Sequence, residues 1–296
     1  GVLKNTVYYA KEQAAKAGKK FLFTTTTNAL LLNDETIKFF NEEMENVVLS
    51  LDGRKEVHDA IRKTVNGKGS FDYVIGNIKK FVSLRGEKSY YVRGTFTAKN
   101  LDFAKDVLFI ADQGLDSISM EPVVTELPDL EIKAEHLPAI EKEYENLCDE
   151  YLRRLAEGKG FNFFHFMIDL TGGPCVYKRL SGCGSGTEYL AVTPWGDFYP
   201  CHQFVGNEKF LLGNVDEGIL NTDIRDEFKC CNVYAKEKCR KCFARFYCSG
   251  GCAANAYNFS GDICGAYDIG CELQKKRIEC AIMIKAAEEE QKNEEE

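Results

Sequence analysis

Cys239-Arg-Lys-Cys242-Phe-Ala-Arg-Phe-Tyr-Cys248-Ser-Gly-Gly-Cys252 gathers four thiols into one short stretch, and Cys271 follows. A second group lies upstream: Cys183, then Gly196-Asp-Phe-Tyr-Pro-Cys201. Spacings this short signal metal, disulfide or redox chemistry. Thirteen cysteines in 296 residues would suit a secreted disulfide scaffold if the chain were short and its staples spread throughout. Here the segment from Gly1 to Leu147 holds none, and the count is odd. A reduced, cytosolic, metal-binding protein is the better reading.

Thiolates bind soft and borderline metals, and a C-x-x-C loop lets two sulfurs reach one ion or one cluster corner. Two sites can be assembled from these residues. Cys239, Cys242 and Cys248 can converge locally, with Cys271 returning from the last helix. Cys252, one helical turn past Cys248, points elsewhere and can join Cys183 and Cys201. Spacing alone does not separate structural zinc from an iron–sulfur cluster. Cys148 and Cys280 read as small buried hydrophobes, and the same reading is open for Cys230, Cys231 and Cys264.

Outward from this region, the N-terminal half alternates helix and strand. Val2 to Lys20 has helical spacing and ends at Gly18; helices are also predicted over Glu35–Met44, Tyr73–Phe81 and Leu101–Asp112. Strands are predicted at Phe21–Asn28, Val47–Gly53, Tyr90–Thr97 and Ser117–Val124. Such alternation implies an α/β fold with a parallel sheet and right-handed crossovers. Polar residues gather at the strand ends: Thr27 and Asn28, Ser50 and Asp52, Arg93, Thr95 and Thr97, Glu121. Ligands bind at that edge of parallel sheets, although Asn28 and Asp52-Gly53 also read as turn residues. Arg93, in a strand expected to be buried, needs an anionic partner, either Glu121 or a ligand carboxylate. The first strand has no earlier strand beside it, so strands preceding Gly1 are expected. Beyond Pro128, Glu135 to Gly158 reads as one helix and Phe161 to Leu170 as a strand-like run in which His165 packs as an aromatic. Glu288 to Glu296 is a charge run expected to fray.

The bulk composition excludes several classes. A net charge of −8 offers no footprint for nucleic acid. No apolar run reaches membrane-spanning length, and no signal peptide opens the chain. At 44% hydrophobic and 28% charged, the chain has an ordinary globular balance.

Cys183-x12-Gly196-x4-Cys201, Cys239-x2-Cys242-x5-Cys248-x3-Cys252 and Cys271 together resemble the seven-cysteine signature of the SPASM domain. That domain is the C-terminal extension of radical S-adenosylmethionine (SAM) enzymes that modify peptides. Tyr199-Pro-Cys-His-Gln-Phe204 and Gln274-Lys-Lys-Arg-Ile-Glu-Cys280 look, more narrowly, like the maturases of SCIFF peptides, which install thioether cross-links. The resemblance implies the C-terminal part of a radical SAM partial (β/α)6 barrel at 1–125, a bridge at 126–172, and a SPASM domain at 173–296. It implies an outer auxiliary 4Fe-4S cluster on Cys239, Cys242, Cys248 and Cys271. It implies an inner one on Cys183, Cys201 and Cys252, whose fourth position is either Cys175 or open to a substrate thiol. Asn28, Ser50 and Arg93 match positions that grip SAM.

Two departures qualify this. The C-x3-C-x2-C loop that holds the SAM-cleaving third cluster is absent: the only C-x3-C is Cys248/Cys252, and position 255 is Asn255. A Gly-Gly-Glu-Pro segment is absent as well. Both would lie upstream of Gly1, so the sequence reads as an N-terminally truncated copy that is inactive alone. In formylglycine-forming relatives a carboxylate follows the cysteine at the Cys201 position; here it is His202, a candidate catalytic residue or a mere supporting donor. The expected activity of the intact enzyme is therefore thioether formation on a cysteine-rich precursor peptide, with ferredoxin or flavodoxin as electron donor. Formylglycine formation and a zinc-bound peptide-binding scaffold are the alternatives.

Overall fold

The computed structural model describes residues 1–170 and 176–295 and separates into two compact units, Gly1–Met167 and Ile168–Glu296. In the first unit, β1 (Phe23–Thr27), β2 (Met44–Ser50), β3 (Ser89–Phe96), β4 (Ser117–Pro122) and β5 (Asn162–Phe163) form one sheet in chain order. Every pair is parallel. Each crossover carries helix: α2 (Asp34–Glu43), α3 (Lys55–Ile61) with α4 (Phe71–Ser83), α5 (Phe103–Asp112), and α6 (Leu137–Ala156), while α1 (Val2–Lys16) precedes β1. The parallel α/β reading thus holds, with β5 as a short fifth strand.

Local chemistry explains these elements. The Asn33 side chain caps α2 by accepting the Thr36 amide at 2.9 Å, and Asp34 and Glu35 sit favourably at the positive end of its dipole. Phe71, Val74, Ile78 and Phe81 recur at helical spacing and are the buried stripe of α4. Across the sheet, Leu49, Val92, Ile118 and Phe163 pair in one register row and are fully buried. On this face α2 packs on β2 and α5 on β4. Phe103 of α5 stacks on Phe96 at 4.4 Å and meets Tyr144 of α6 at 4.8 Å, tying β3, α5 and α6 together. Each such ring withdraws enough apolar surface to stabilise the unit by about 2 kcal/mol.

The opposite sheet face is polar. Alternation puts Thr24 and Thr26, Val48 and Ser50, Tyr91 and Arg93, and Ser119 and Glu121 there, most of them at least partly exposed. β1 is an edge strand, flanked by exposed Phe21 and Leu22.

The second unit is built differently. After α7 (Val176–Ser181), β6 (Ala191–Val192), β7 (Asp197–Tyr199), β8 (Gly213–Asn214) and β9 (Gly218–Ile219) make a small antiparallel sheet in chain order. Five helices follow: α8 (Thr222–Cys230), α9 (Glu237–Arg240), α10 (Arg245–Cys248), α11 (Ala253–Ser260) and α12 (Asp268–Glu295). Its core is more substantial than a cysteine-knotted region requires. Phe204 lies 4.3 Å from Phe210, and both rings meet Phe228 and Tyr257, with Tyr199, Cys201, Cys231 and Ile263 around them.

The expected fraying after Glu288 is corrected: α12 runs to Glu295. Lys285 reaches Glu288 and Glu289, and Lys292 pairs with Glu289, so oppositely charged neighbours one turn apart support helix in what reads as a charge run. Among the described residues no helix is long and apolar enough to cross a membrane.

Candidate cofactor sites

In the first unit the expected SAM residues fall into one row. Ser50 pairs in register with Arg93, and Arg93 with Ser119. Thr27 pairs with Leu49, so Asn28 stands level with Ser50 just past the end of β1. All three expected residues, with Ser119 as a fourth, therefore lie along the C-terminal edge of the polar face. Ser119 carries no sequence motif, and only the strand register finds it.

The burial expected for Arg93 is not found. Its side chain is exposed and carries no ion pair among the described residues. The alternation that buries Val92 and Gly94 turns Arg93 to the opposite, polar face. Glu121 lies instead 3.4 Å from His165, whose Nε2 is 3.5 Å from the Ser119 hydroxyl. His165 itself packs edge-on against Phe163 and Phe164, as the aromatic reading expects. Asn28 accepts the Leu30 amide at 3.2 Å, which fits its turn reading.

Asp52 is a brace rather than a ligand-facing group. Buried to 1% exposure, it accepts Arg62 Nε at 2.7 Å, Arg62 Nη2 at 3.0 Å and the Thr95 amide at 3.1 Å. The last bond fixes β3 two residues beyond Arg93. Next to it, Gly53 has φ +119°, and a Cβ there would fall 2.3 Å from the Asp106 side chain, which itself anchors Arg54 at 2.8 Å.

In the second unit several thiols lie near enough for their charges to influence one another. Cys239 feels the charge of Cys242, Cys248 those of Cys239 and Cys242, and Cys271 those of Cys248 and Cys239. Burial pushes the thiols of Cys239 and Cys248 up, and that of Cys271 up to about 11, with the neighbouring sulfurs adding to the effect. Burial also raises Cys201, which feels Cys252 and a hydrogen bond with Ser185. Gln203 Nε2 approaches Cys252 Sγ at 3.8 Å.

Cys183 is exposed, and its loop runs beside the residues preceding Cys201 and following Cys248. The Ser185 hydroxyl donates to the Pro200 carbonyl at 3.1 Å, and a Cβ on Gly182 would lie 3.4 Å from the Ser249 carbonyl. Cys175 lies outside the described residues. His202 is exposed, with Nδ1 at 3.3 Å from the Tyr189 hydroxyl.

What separates Cys248 from Cys252 differs from the expected helical turn. Ser249 (φ +57°), Gly250 (+86°) and Gly251 (+73°) are all left-handed, so α10 stops at Cys248 and the chain reverses before Cys252. Gly196 of the signature has φ +94°, and a Cβ there would press to 2.8 Å on Val215. Glycine is required at that turn.

Among the described residues no three Cys, His, Asp or Glu side chains meet closely enough to hold a single ion. A zinc ion draws its sulfurs in to about 2.3 Å. An iron–sulfur cluster is held by several thiolates on different irons, so its ligands need not converge on a point. The cysteine-only donor set fits such a group, and so does Arg245. Its Nε, at the start of α10 between Cys242 and Cys248, is buried without an acceptor among the described residues, a donor that an anionic, sulfide-rich group would satisfy. Cys231 and Cys264 belong to neither expected set. Cys231 donates to the Ile263 carbonyl at 3.3 Å and pairs with Cys264, and burial pushes its thiol up to about 12.

No family model matches the chain. Over 249 residues it is 25% identical to the cysteine-type anaerobic sulfatase-maturating enzyme of Clostridium novyi, covering 79% of this chain and 64% of that enzyme. Over 266 residues it is 26% identical to the serine-type enzyme of Bacteroides thetaiotaomicron, covering 80% and 62%. Both relatives are anaerobic sulfatase-maturating enzymes. The chain spans less than two thirds of their length. Among solved structures, anSMEcpe with bound AdoMet and the Kp18Cys peptide matches with a TM-score of 0.74 at 19% identity, covering 95% of this chain and 80% of that one. Streptococcus suis SuiB bound to S-adenosylmethionine matches at 0.53 and 18%, covering 80% and 56%. The fold is shared with these two proteins.

Proposed function

We propose that this chain belongs to a radical SAM peptide maturase that joins a cysteine sulfur of its substrate to carbon, forming a thioether. The division of the cysteines carries the reading: Cys239, Cys242, Cys248 and Cys271 in one set, Cys201 and Cys252, with the Cys183 loop, in another. The first set would hold an outer 4Fe-4S cluster, and the second an inner one, with Cys175 or a substrate thiol in its fourth position. When bound, these groups and SAM supply the radical and the electron acceptor for the reaction.

The chain's own residues bind and orient. Arg93, exposed and without a carboxylate partner, is the group on the polar sheet face suited to the SAM carboxylate, and Asn28 and Ser50 flank it at the same level. Asp52 keeps that edge of β3 in place. Gln203 donates towards the Cys252 sulfur, and Ser185 holds the Pro200 carbonyl beside Cys201; such contacts orient ligating sulfur. His202, held by Tyr189, stands where a formylglycine-forming enzyme needs a carboxylate base. A histidine in place of that base favours C–S bond formation. That reaction would need no such base if the substrate sulfur were bound as thiolate by the group that Cys183, Cys201 and Cys252 would hold.

The test is anaerobic incubation of the complete gene product with SAM, a reductant and a cysteine-rich precursor peptide, followed by mass spectrometry. Thioether formation removes one thiol and two hydrogens from the peptide and leaves no aldehyde. A peptide aldehyde would instead establish formylglycine formation. That second reading is favoured by the sulfatase-maturating relatives. A peptide recovered with its mass unchanged would refute both.

A further inference from the structure

Lys236 is buried to 4% exposure, yet among the described residues it forms no ion pair. Its ammonium donates to two neutral carbonyls, Ile263 at 3.0 Å and Gly265 at 3.2 Å. Its stem lies against the turn between Cys248 and Cys252: Cδ and Cε are 3.5 and 3.6 Å from where a Cβ on Gly250 would sit. Its own carbonyl accepts the Cys239 amide at 3.1 Å. The ammonium is thus buried on the carbonyls flanking Cys264, sharing that of Ile263 with the Cys231 thiol. The stem and backbone touch the Cys248–Cys252 turn and Cys239, and the charge is felt at Cys231 and at Cys239. A buried cation with only dipoles for company is costly, and a local anion would offset that cost. Four thiolates on an iron–sulfur cluster would be such an anion.

We infer that Lys236 is a positioning residue for the outer cluster, whose buried charge raises that cluster's reduction potential. The inference rests on the reading of Cys239, Cys242, Cys248 and Cys271 as its ligands. Reduction adds one electron, and therefore one negative charge, to the cluster. A fixed cation in a poorly polarisable interior favours the more negative state. The neighbouring Lys238 is exposed and paired with Asp268 at 2.5 Å, so water and its partner screen it. It is the natural control.

The experiment is a potentiometric titration with a chemical reductant, followed by electron paramagnetic resonance, on the anaerobically reconstituted chain. The outer signal is assigned by its loss in Cys271→Ser. Lys236→Gln, which keeps a hydrogen-bond donor and removes the charge, is expected to lower the outer midpoint by more than Lys238→Gln does. Lys236→Arg is expected to keep it near the wild-type value. Equal midpoints for wild type and Lys236→Gln would overturn the inference. So would loss of bound iron in Lys236→Gln and Lys236→Arg alike, which would make the lysine a folding element alone. Failure of the wild-type chain to hold any iron–sulfur cluster would instead refute the ligand reading beneath it.

Discussion

Asp52 shows how a residue that touches no ligand can govern a site. Removing its carboxylate in Asp52→Ala strands the Arg62 guanidinium and leaves the Thr95 amide without its acceptor. Arg62 is one-third exposed, so the loss is expected at about 2–3 kcal/mol, below that of a fully buried pair; urea unfolding reads it as a fall in midpoint. Arg93→Met should cost almost no stability, since Arg93 is exposed and unpaired among the described residues. A parallel measurement of SAM binding should show about a tenfold loss, equivalent to roughly 1.4 kcal/mol. If Arg93→Met destabilised the fold instead, its assignment to a ligand would be wrong. Gly196→Ala combines a left-handed backbone with a 2.8 Å approach to Val215, and its cost of about 1–3 kcal/mol should appear in thermal melts of the second unit.

Among the elements, α6 carries the clearest pH signature. Hydrogen bonds from Arg153 and Arg154 hold Glu150 down to about 2, from an ordinary value of 4.5, and Arg154 also reaches Asp112 of α5 at 2.6 Å. A depressed carboxylate stabilises the fold fully above its unfolded value and loses that contribution as pH falls through the folded one. The window is therefore about pH 4.5 to 2. Because the group is partly solvated, its worth is about 1 kcal/mol. Glu150→Gln should narrow the difference in stability between pH 5 and pH 3, and an unchanged difference would assign the acid sensitivity elsewhere. Helices such as α4 and α6 were legible in the sequence because each shows an apolar stripe over several turns. The strands β6 to β9 were not, since two or three residues display no period. Their order comes from turns and from the rings of Phe204, Phe210 and Phe228, which are far apart in sequence. The row of Asn28, Ser50 and Arg93 was readable residue by residue, but its alignment with Ser119 needed the sheet register, and the exposure of Arg93 needed the strand's alternation. Nothing in the sequence marks Lys236; only its burial distinguishes it.

At the scale of the whole molecule, the two units divide the work the residues suggest: a parallel sheet with a polar edge suited to SAM, and a cysteine-loaded unit suited to iron–sulfur clusters. Neither the fold nor the likeness to sulfatase-maturating enzymes fixes the reaction, because one scaffold serves many chemistries. The assignment of the cysteines is the claim on which the rest depends. It is tested most directly by purifying this chain without oxygen, reconstituting it, and measuring iron, acid-labile sulfide and zinc per chain alongside the visible spectrum. The account predicts about eight irons with as many sulfides and a broad visible absorption, as two four-iron clusters require. About two zinc ions, no sulfide and a colourless protein would contradict it and make the second unit a zinc-held scaffold.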